Sequence, residues 1–243
     1  MTIDNRQSSI NFHLVAHRGG LYYRPENTLA AFEYIVERGI EWLETDVRLS
    51  RDDVPVLFHD EGISPPGSGY RFIRDLDVHD LKAIDVGGGE LLPTLRDLLE
   101  RFGTDICYDL DVKELDAVDG TISLIKEFEV EARTIITSFI PEALQRAREI
   151  APELKRGFLL DRLTGSLVDG RHAVNAAKLL DCEYFLPHHR ILSADWAQMA
   201  KDEGLKIVVW TVNRLPDARR LLNLGVDGFV SDRPDYLREA IKI

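Results

Sequence analysis

Residues 42–60 read WLETDVRLSRDDVPVLFHD. Two runs with the composition of strands, Leu43–Val47 and Pro55–Phe58, are joined here by little more than LSRDDV. A parallel crossover takes a dozen or more residues, so the second run must turn back antiparallel against the first as a hairpin. Further runs of the same kind occur at Leu14–Ala16, Ile106–Val112, Thr134–Ser138, Arg156–Leu160, Tyr184–Leu186, Ile207–Thr211 and Gly228–Val230. With the hairpin strand set aside, eight remain. Most are separated by amphipathic segments such as Thr28–Glu37, Glu142–Ile150, Val168–Leu180 and Pro216–Leu224. Strands alternating with helical patterns predict a parallel sheet with crossover helices, and eight such units predict a (β/α)8 TIM barrel. An open doubly wound sheet is the other arrangement to weigh, but RGG at 18–20 is not the GxGxxG of its phosphate-binding turn. The stretch Asp60–Leu92 contains Gly and Pro and has little periodicity. It reads as an insertion at the barrel mouth, after the second strand of a single domain spanning 1–243.

Bulk properties narrow the partners. With 44% hydrophobic and 30% charged residues the chain has material for a sizeable core. Its net charge of −12 disfavours nucleic acid and anionic membranes. No apolar run approaches the roughly 18 residues of a membrane span, and MTIDNRQSSINFH lacks the apolar stretch of a secretory signal, so a cytoplasmic protein without stable membrane association is expected. Cys107 and Cys182 have no metal or redox spacing and read as buried free thiols.

In a barrel the site forms at the C-terminal ends of the strands. Polar residues collect there. The first strand ends in His17-Arg18-Gly19, followed by Pro25-Glu26-Asn27-Thr28; the second carries Glu44 and Asp46; the hairpin ends in His59-Asp60; the third carries Asp109, Asp111 and Lys113. Residues two apart on a strand share a face, so Glu44 pairs with Asp46, and Asp109, Asp111 and Lys113 point together. Clustered carboxylates repel unless a cation holds them, and oxygen ligands suit Mg²⁺, Ca²⁺ or Mn²⁺. A cation would also give an acidic protein the local positive charge that a phosphate-bearing small molecule needs. His188 and His189 also follow a strand, but adjacent residues diverge, so at most one could face the site, and both are left out of it. Trp210 is either core or an apolar wall for the substrate, and Gly87-Gly88-Gly89 is a loop turn.

The motifs AHRG, PENT, the ExD of LETDV, PVLFHD, LPTL, WTVN and GVDGFVSDRP, in this order between His17 and Pro234, resemble those of the glycerophosphodiester phosphodiesterases. The resemblance implies a (β/α)8 barrel with a small insertion, one divalent cation (Mg²⁺ or Ca²⁺), and hydrolysis of glycerophosphodiesters to glycerol 3-phosphate and an alcohol. It further implies His17 and His59 as the acid/base pair, Glu44 and Asp46 as metal ligands, Arg18 and Lys113 as phosphate-binding residues, and Glu26 as support for the metal shell. The family's third ligand is a Glu in an EIK triplet, and Asp111-Val112-Lys113 stands at that place, one methylene shorter. After His59-Asp60 the chain reads EGISPPGSG instead of the leucine and Arg-Thr pair common in the family. Two other readings remain open at this point: a metal-independent, phospholipase C-like phosphodiesterase, and a barrel that binds phosphodiesters without turning them over.

Overall fold

The computed structural model describes residues 12–64 and 69–242. Most of MTIDNRQSSINFH and the PPGS of EGISPPGSG lie outside the described residues. Eight parallel strands form the barrel: β1 (His13–Ala16), β2 (Trp42–Leu49), β3 (Cys107–Val112), β4 (Thr134–Ser138), β5 (Lys155–Leu160), β6 (Tyr184–Pro187), β7 (Lys206–Val209) and β8 (Gly228–Ser231). Each pairs with its sequence neighbour, and β8 returns to β1 to close the ring. Pro55–Leu57 runs antiparallel to β2, with Val47 opposite Leu57 and Leu49 opposite Pro55. The hairpin inferred from the short LSRDDV connection is therefore present. It has a positional consequence: β2 carries the chain up to the rim and the return strand brings it back down, so that the Phe58 N–H meets the Asp46 carbonyl at 3.1 Å.

Period-two alternation divides the side chains between two cores. Val15, Ile135, Leu159, Tyr184, Leu186, Val208 and Val230 fill the barrel interior. Ala16, Leu43, Leu110, Ile136, Phe185, Ile207 and Phe229, one residue out of phase, face the helices. Below, at the N-terminal ends of the strands, His13 packs edge-on against Trp42 and Tyr184 and Lys206 lies over the Tyr184 ring; the carboxylates collect toward the strand C-termini.

Several boundaries differ from those read in the sequence. The segment Val168–Leu180 holds one helix, Gly170–Leu179, which Asp169 caps by accepting from the Arg171 N–H; a separate helix, Arg162–Leu167, capped by Asp161, precedes it. An Asp that binds the first helical N–H groups starts a helix where hydrophobic periodicity alone would run through it. β7 stops at Val209, and Trp210 forms only an isolated bridge to His188. The insertion is more ordered than its weak periodicity implies. It holds two short hairpins and a single-turn helix, Val78–Leu81. Ile73, Leu76, Leu81 and Leu92 form a separate apolar cluster with Val56 of the hairpin. Among the described residues no helix is long and apolar enough to cross a membrane.

Candidate active site

Register assembles the acidic centre. β2 and β3 pair so that Glu44 lies beside Asp109 and Asp46 beside Asp111. Neighbouring strands are about 4.8 Å apart, so alternate inward residues of the two strands make a square of four carboxylates. Glu44, Asp46 and Asp111 each offer an oxygen within 4.8 Å of the others. Asp109, the fourth corner, lies level with Glu44 and accepts from Thr137 Oγ1 at 2.6 Å.

The turn after β1 supplies Arg18 and the first histidine, while the second cation, Lys113, follows β3. Arg18 has a left-handed backbone (φ 50°, ψ 33°), which non-glycine residues adopt rarely and usually at functional turns. The conformation aims its N–H at Glu44 Oε2, 2.8 Å away. Its Nη1 donates to both oxygens of Glu26 at 3.0 Å, while its Nε lies 3.2 Å from Asp46 Oδ2 without the alignment of a hydrogen bond. The PENT motif resolves into separate tasks. Glu26 holds Arg18 and is not one of the clustered oxygens. Asn27 donates to Asp46 Oδ2 at 2.8 Å and accepts from Thr45 Oγ1 at 2.7 Å. Thr28 caps the helix Leu29–Val36, accepting from the Ala31 N–H. Asn27 is fully buried, and sequence reasoning assigned it no role.

Gly19 makes the turn possible. Its φ is +80°, and a Cβ there would stand 2.7 Å from Phe32 Cδ1 and 2.9 Å from Ala31 Cβ. Gly19→Ala is expected to cost about 1–3 kcal/mol, from the left-handed strain and the clash together. Urea unfolding measures it; a loss under about 0.5 kcal/mol, the scale of an ordinary surface change, would mean that the turn relaxes freely.

The charges do not balance locally. Among the described residues, Glu26, Glu44, Asp46, Asp109 and Asp111 gather around Arg18 and Lys113. Burial, followed by repulsion from Asp46, Asp109 and Asp111, pushes the Glu44 carboxyl well above its usual range. Burial likewise raises Asp109, to about 7, although the Thr137 hydroxyl opposes it. Asp111 is raised by burial too, with Lys113 resisting. Asp46 goes the other way: burial would raise it, but Lys113, Arg18 and Asn27 together hold it at about 2. Lys113 lies 2.8 Å from Asp46 Oδ1 and also bridges to Asp111 Oδ2. Asp111 Oδ1 is buried with no hydrogen-bond partner. A buried carboxylate oxygen without a partner is costly, and beside two further carboxylates it is placed to receive a cation. The residues therefore fit a divalent ion held by Glu44, Asp46 and Asp111.

Both histidines reach the cavity, which is also lined by Phe139, Leu159, Leu186, Trp210 and Val230. His17 Nδ1 is 2.5 Å from Asp232 Oδ1. His59 Nδ1 is 2.7 Å from Asp60 Oδ1, and Arg48 holds the His59 carbonyl through Nε and Nη2 at 3.0 and 2.8 Å. Trp210 is wall and scaffold together: its face lines the cavity while its indole N–H donates to the Leu186 carbonyl at 2.7 Å. His188 and His189 stack on each other outside this lining. Asp232 and Asn213 were not singled out as site residues, although they end the VSD and WTVN motifs; nothing in the local pattern says which residue they face across the ring.

The sequence matches the model of the Glycerophosphoryl diester phosphodiesterase family over residues 17–236. A glycerophosphodiester phosphodiesterase of Caldanaerobacter subterraneus subsp. tengcongensis is 31% identical, over 94% of this chain and 97% of its own. Among solved structures, a phosphodiesterase of Oleispira antarctica in complex with the product sn-glycerol-3-phosphate superposes with a TM-score of 0.83 at 28% identity, covering 94% of this chain and 96% of its own. A glycerophosphodiester phosphodiesterase of Thermotoga maritima gives 0.80 at 25% identity, covering 93% and 97%. With the match spanning nearly all of the chain and the acidic square at the strand ends, the chain belongs to the glycerophosphoryl diester phosphodiesterase family.

Proposed function

We propose that the chain is an enzyme that hydrolyses glycerophosphodiesters to glycerol 3-phosphate and an alcohol, with Mg²⁺ or Ca²⁺ bound by Glu44, Asp46 and Asp111. The observation that carries this reading is the buried trio of carboxylates, one of them with an unpartnered oxygen, set between two histidines and two cations. Family membership supplies the reaction class. A phosphodiester anion would be repelled by the carboxylates alone, and the bound ion supplies the charge that neutralises its non-bridging oxygens. Arg18 and Lys113 are the phosphate-binding side chains, already held at the edge of the trio by Glu26 and by Asp46 with Asp111. Glu26 thus supports the site through Arg18.

One histidine takes the proton from the attacking oxygen, that of water or of the glycerol 2-hydroxyl, as this oxygen bonds to phosphorus. The other protonates the leaving alcohol oxygen as its bond to phosphorus breaks. By the second route water then opens the cyclic phosphate to glycerol 3-phosphate. Phe139, Leu159, Leu186 and Trp210 exclude water from the other side of the cavity and provide an apolar wall for the substrate. The whole chain is read as one catalytic domain, with 60–92 as part of it.

A metal-independent reaction on the same two histidines would have no use for three buried carboxylates, so the acidic centre favours the metal-dependent reading. The test is an assay over a panel of glycerophosphodiesters with Mg²⁺, with Ca²⁺, and after exhaustive chelation. Turnover is expected only with metal; full activity in chelator would overturn the metal requirement, and no turnover of any member of the panel would overturn the reaction. Metal should also stabilise the fold, by about 2.7 kcal/mol at 100 times Kd if one ion binds only the native state. The rise in unfolding temperature is expected to vanish in Glu44→Ala. It should grow as pH increases, because burial and the neighbouring carboxylates favour a proton on Glu44, and that proton competes with the ion. An unchanged midpoint at saturating metal would count against a preformed site.

A further inference from the structure

We infer that Asp232, set in place by Asn213, is a positioning residue that fixes His17 in one tautomer and thereby makes His17 the base of the reaction. The inference rests on the reading of His17 as catalytic. His17 Nδ1 lies 2.5 Å from Asp232 Oδ1. An ionised carboxylate can only accept, so the proton in this contact is on Nδ1. Nε2 is then the nitrogen with the free lone pair, and it makes no hydrogen bond among the described residues, on a ring that lines the cavity.

Asp232 is set by a network that leaves little choice of geometry. Asn213 Oδ1 accepts the Asp232 backbone N–H at 2.9 Å and the Ser231 hydroxyl at 3.1 Å. Since a backbone N–H can only donate, the Asn213 amide orientation is determined, and its Nδ2 must be the group that donates to Asp232 Oδ2. Both carboxylate oxygens are therefore occupied, one by the ring and one by the amide. Burial opposes ionisation of Asp232, but the His17 and Asn213 hydrogen bonds outweigh it and hold the carboxyl below its usual range.

His59 has a similar contact with Asp60, yet the two differ in what they can enforce. The Asp60 side chain is 71% exposed, whereas Asp232 is 20% exposed. Water competes for the first carboxylate and weakens its interaction with a charged ring; the second keeps its partner. During attack, the His17 Nε2 lone pair takes the hydroxyl proton and the ring becomes a cation, which the Asp232 anion stabilises. His59 is left to give its proton to the leaving oxygen.

The test is Asp232→Asn, examined by steady-state kinetics and by long-range ¹H–¹⁵N correlation of the His17 ring. In the variant, the new amide oxygen keeps the Asn213 bond, and its NH₂ faces the ring and demands an acceptor at Nδ1. We expect the His17 proton to move to Nε2, kcat to fall by on the order of 10²-fold, KM to stay within about threefold, and the unfolding temperature to hold. Asn213→Ala should produce a weaker loss of the same kind. In His17→Ala the Asp232→Asn change should cost nothing further, since its effect passes through that ring.

An unaltered His17 tautomer, or kcat within about threefold of the unmodified protein while His17→Ala is inactive, would overturn this inference and leave the catalytic assignment standing. Activity retained in His17→Ala would overturn both. If Asp232→Asn fails to fold, the ring tautomer in Asn213→Ala decides: loss of the single Nδ1–H form supports the inference, and its persistence overturns it.

Discussion

Alanine at His17 or at His59 is expected to lower kcat by about 10²–10⁴-fold, the range in which a positioned acid or base contributes. Each ring removes one proton transfer and leaves Glu44, Asp46, Asp111, Arg18 and Lys113 in place. KM should therefore move little compared with kcat, and metal should still raise the unfolding temperature in both variants. The loss is expected to differ in its pattern with the leaving group. An alcohol that leaves readily as an anion needs no protonation, so a nitrophenyl ester should restore much of the rate in whichever variant lacks the acid. With His17 as base, that variant is His59→Ala. A loss below about tenfold in either alanine variant on a natural glycerophosphodiester would remove that histidine from the mechanism.

The second large effect is expected at Asp111. Asp111→Asn removes the charge next to Lys113 and offers an amide where the unpartnered Oδ1 now stands. Changes in groups that only orient metal ligands typically cost about 10–100-fold in affinity, so loss of a ligand should raise the metal dissociation constant by at least about tenfold. Asp109→Asn should behave differently. Burial pushes its carboxyl up to about 7, so the charged form is disfavoured, and Thr137 occupies one oxygen, so an amide of the same shape perturbs it little. A change within about threefold is expected there. Asp111→Glu, with its longer reach, should keep activity with equal or tighter metal binding. Calorimetric titration of the three variants separates the alternatives, and an unchanged constant in Asp111→Asn would remove Asp111 from the ligand set.

The parts of the fold and site that could be read in advance are those governed by short-range rules. The hairpin followed from a connection too short to cross over, and the grouping of Glu44 with Asp46 and of Asp109 with Asp111 followed from strand period. What chain order conceals is register between strands and contacts across the ring. Nothing local distinguishes Asp109 from Asp111 as a partner of Glu44 and Asp46. The fold does, by setting Thr137 against one Asp109 oxygen while leaving Asp111 Oδ1 without a partner beside Glu44 and Asp46. Asp232 meets His17 across 215 residues of sequence, through the closure of β8 onto β1. Glu26 and Asn27 stand next to each other, but only the fold sends one to Arg18 and the other to Asp46. The insertion was read as irregular because its apolar residues serve a cluster too small to impose a period.

That insertion leaves and rejoins the barrel at nearly the same point. The Leu57 N–H donates to the Pro93 carbonyl at 2.9 Å, and Val56 bridges antiparallel to Thr94. The ends of the excursion are thus tied together before the intervening chain is considered. Closure entropy grows only slowly with loop length, so segments of quite different size can span this gap at similar cost, each doubling adding roughly 0.6 kcal/mol. His59 is anchored on the barrel side of the gap by Arg48. The barrel thus has a socket beside His59 in which one segment can be exchanged for another of different length while the surrounding frame stays put.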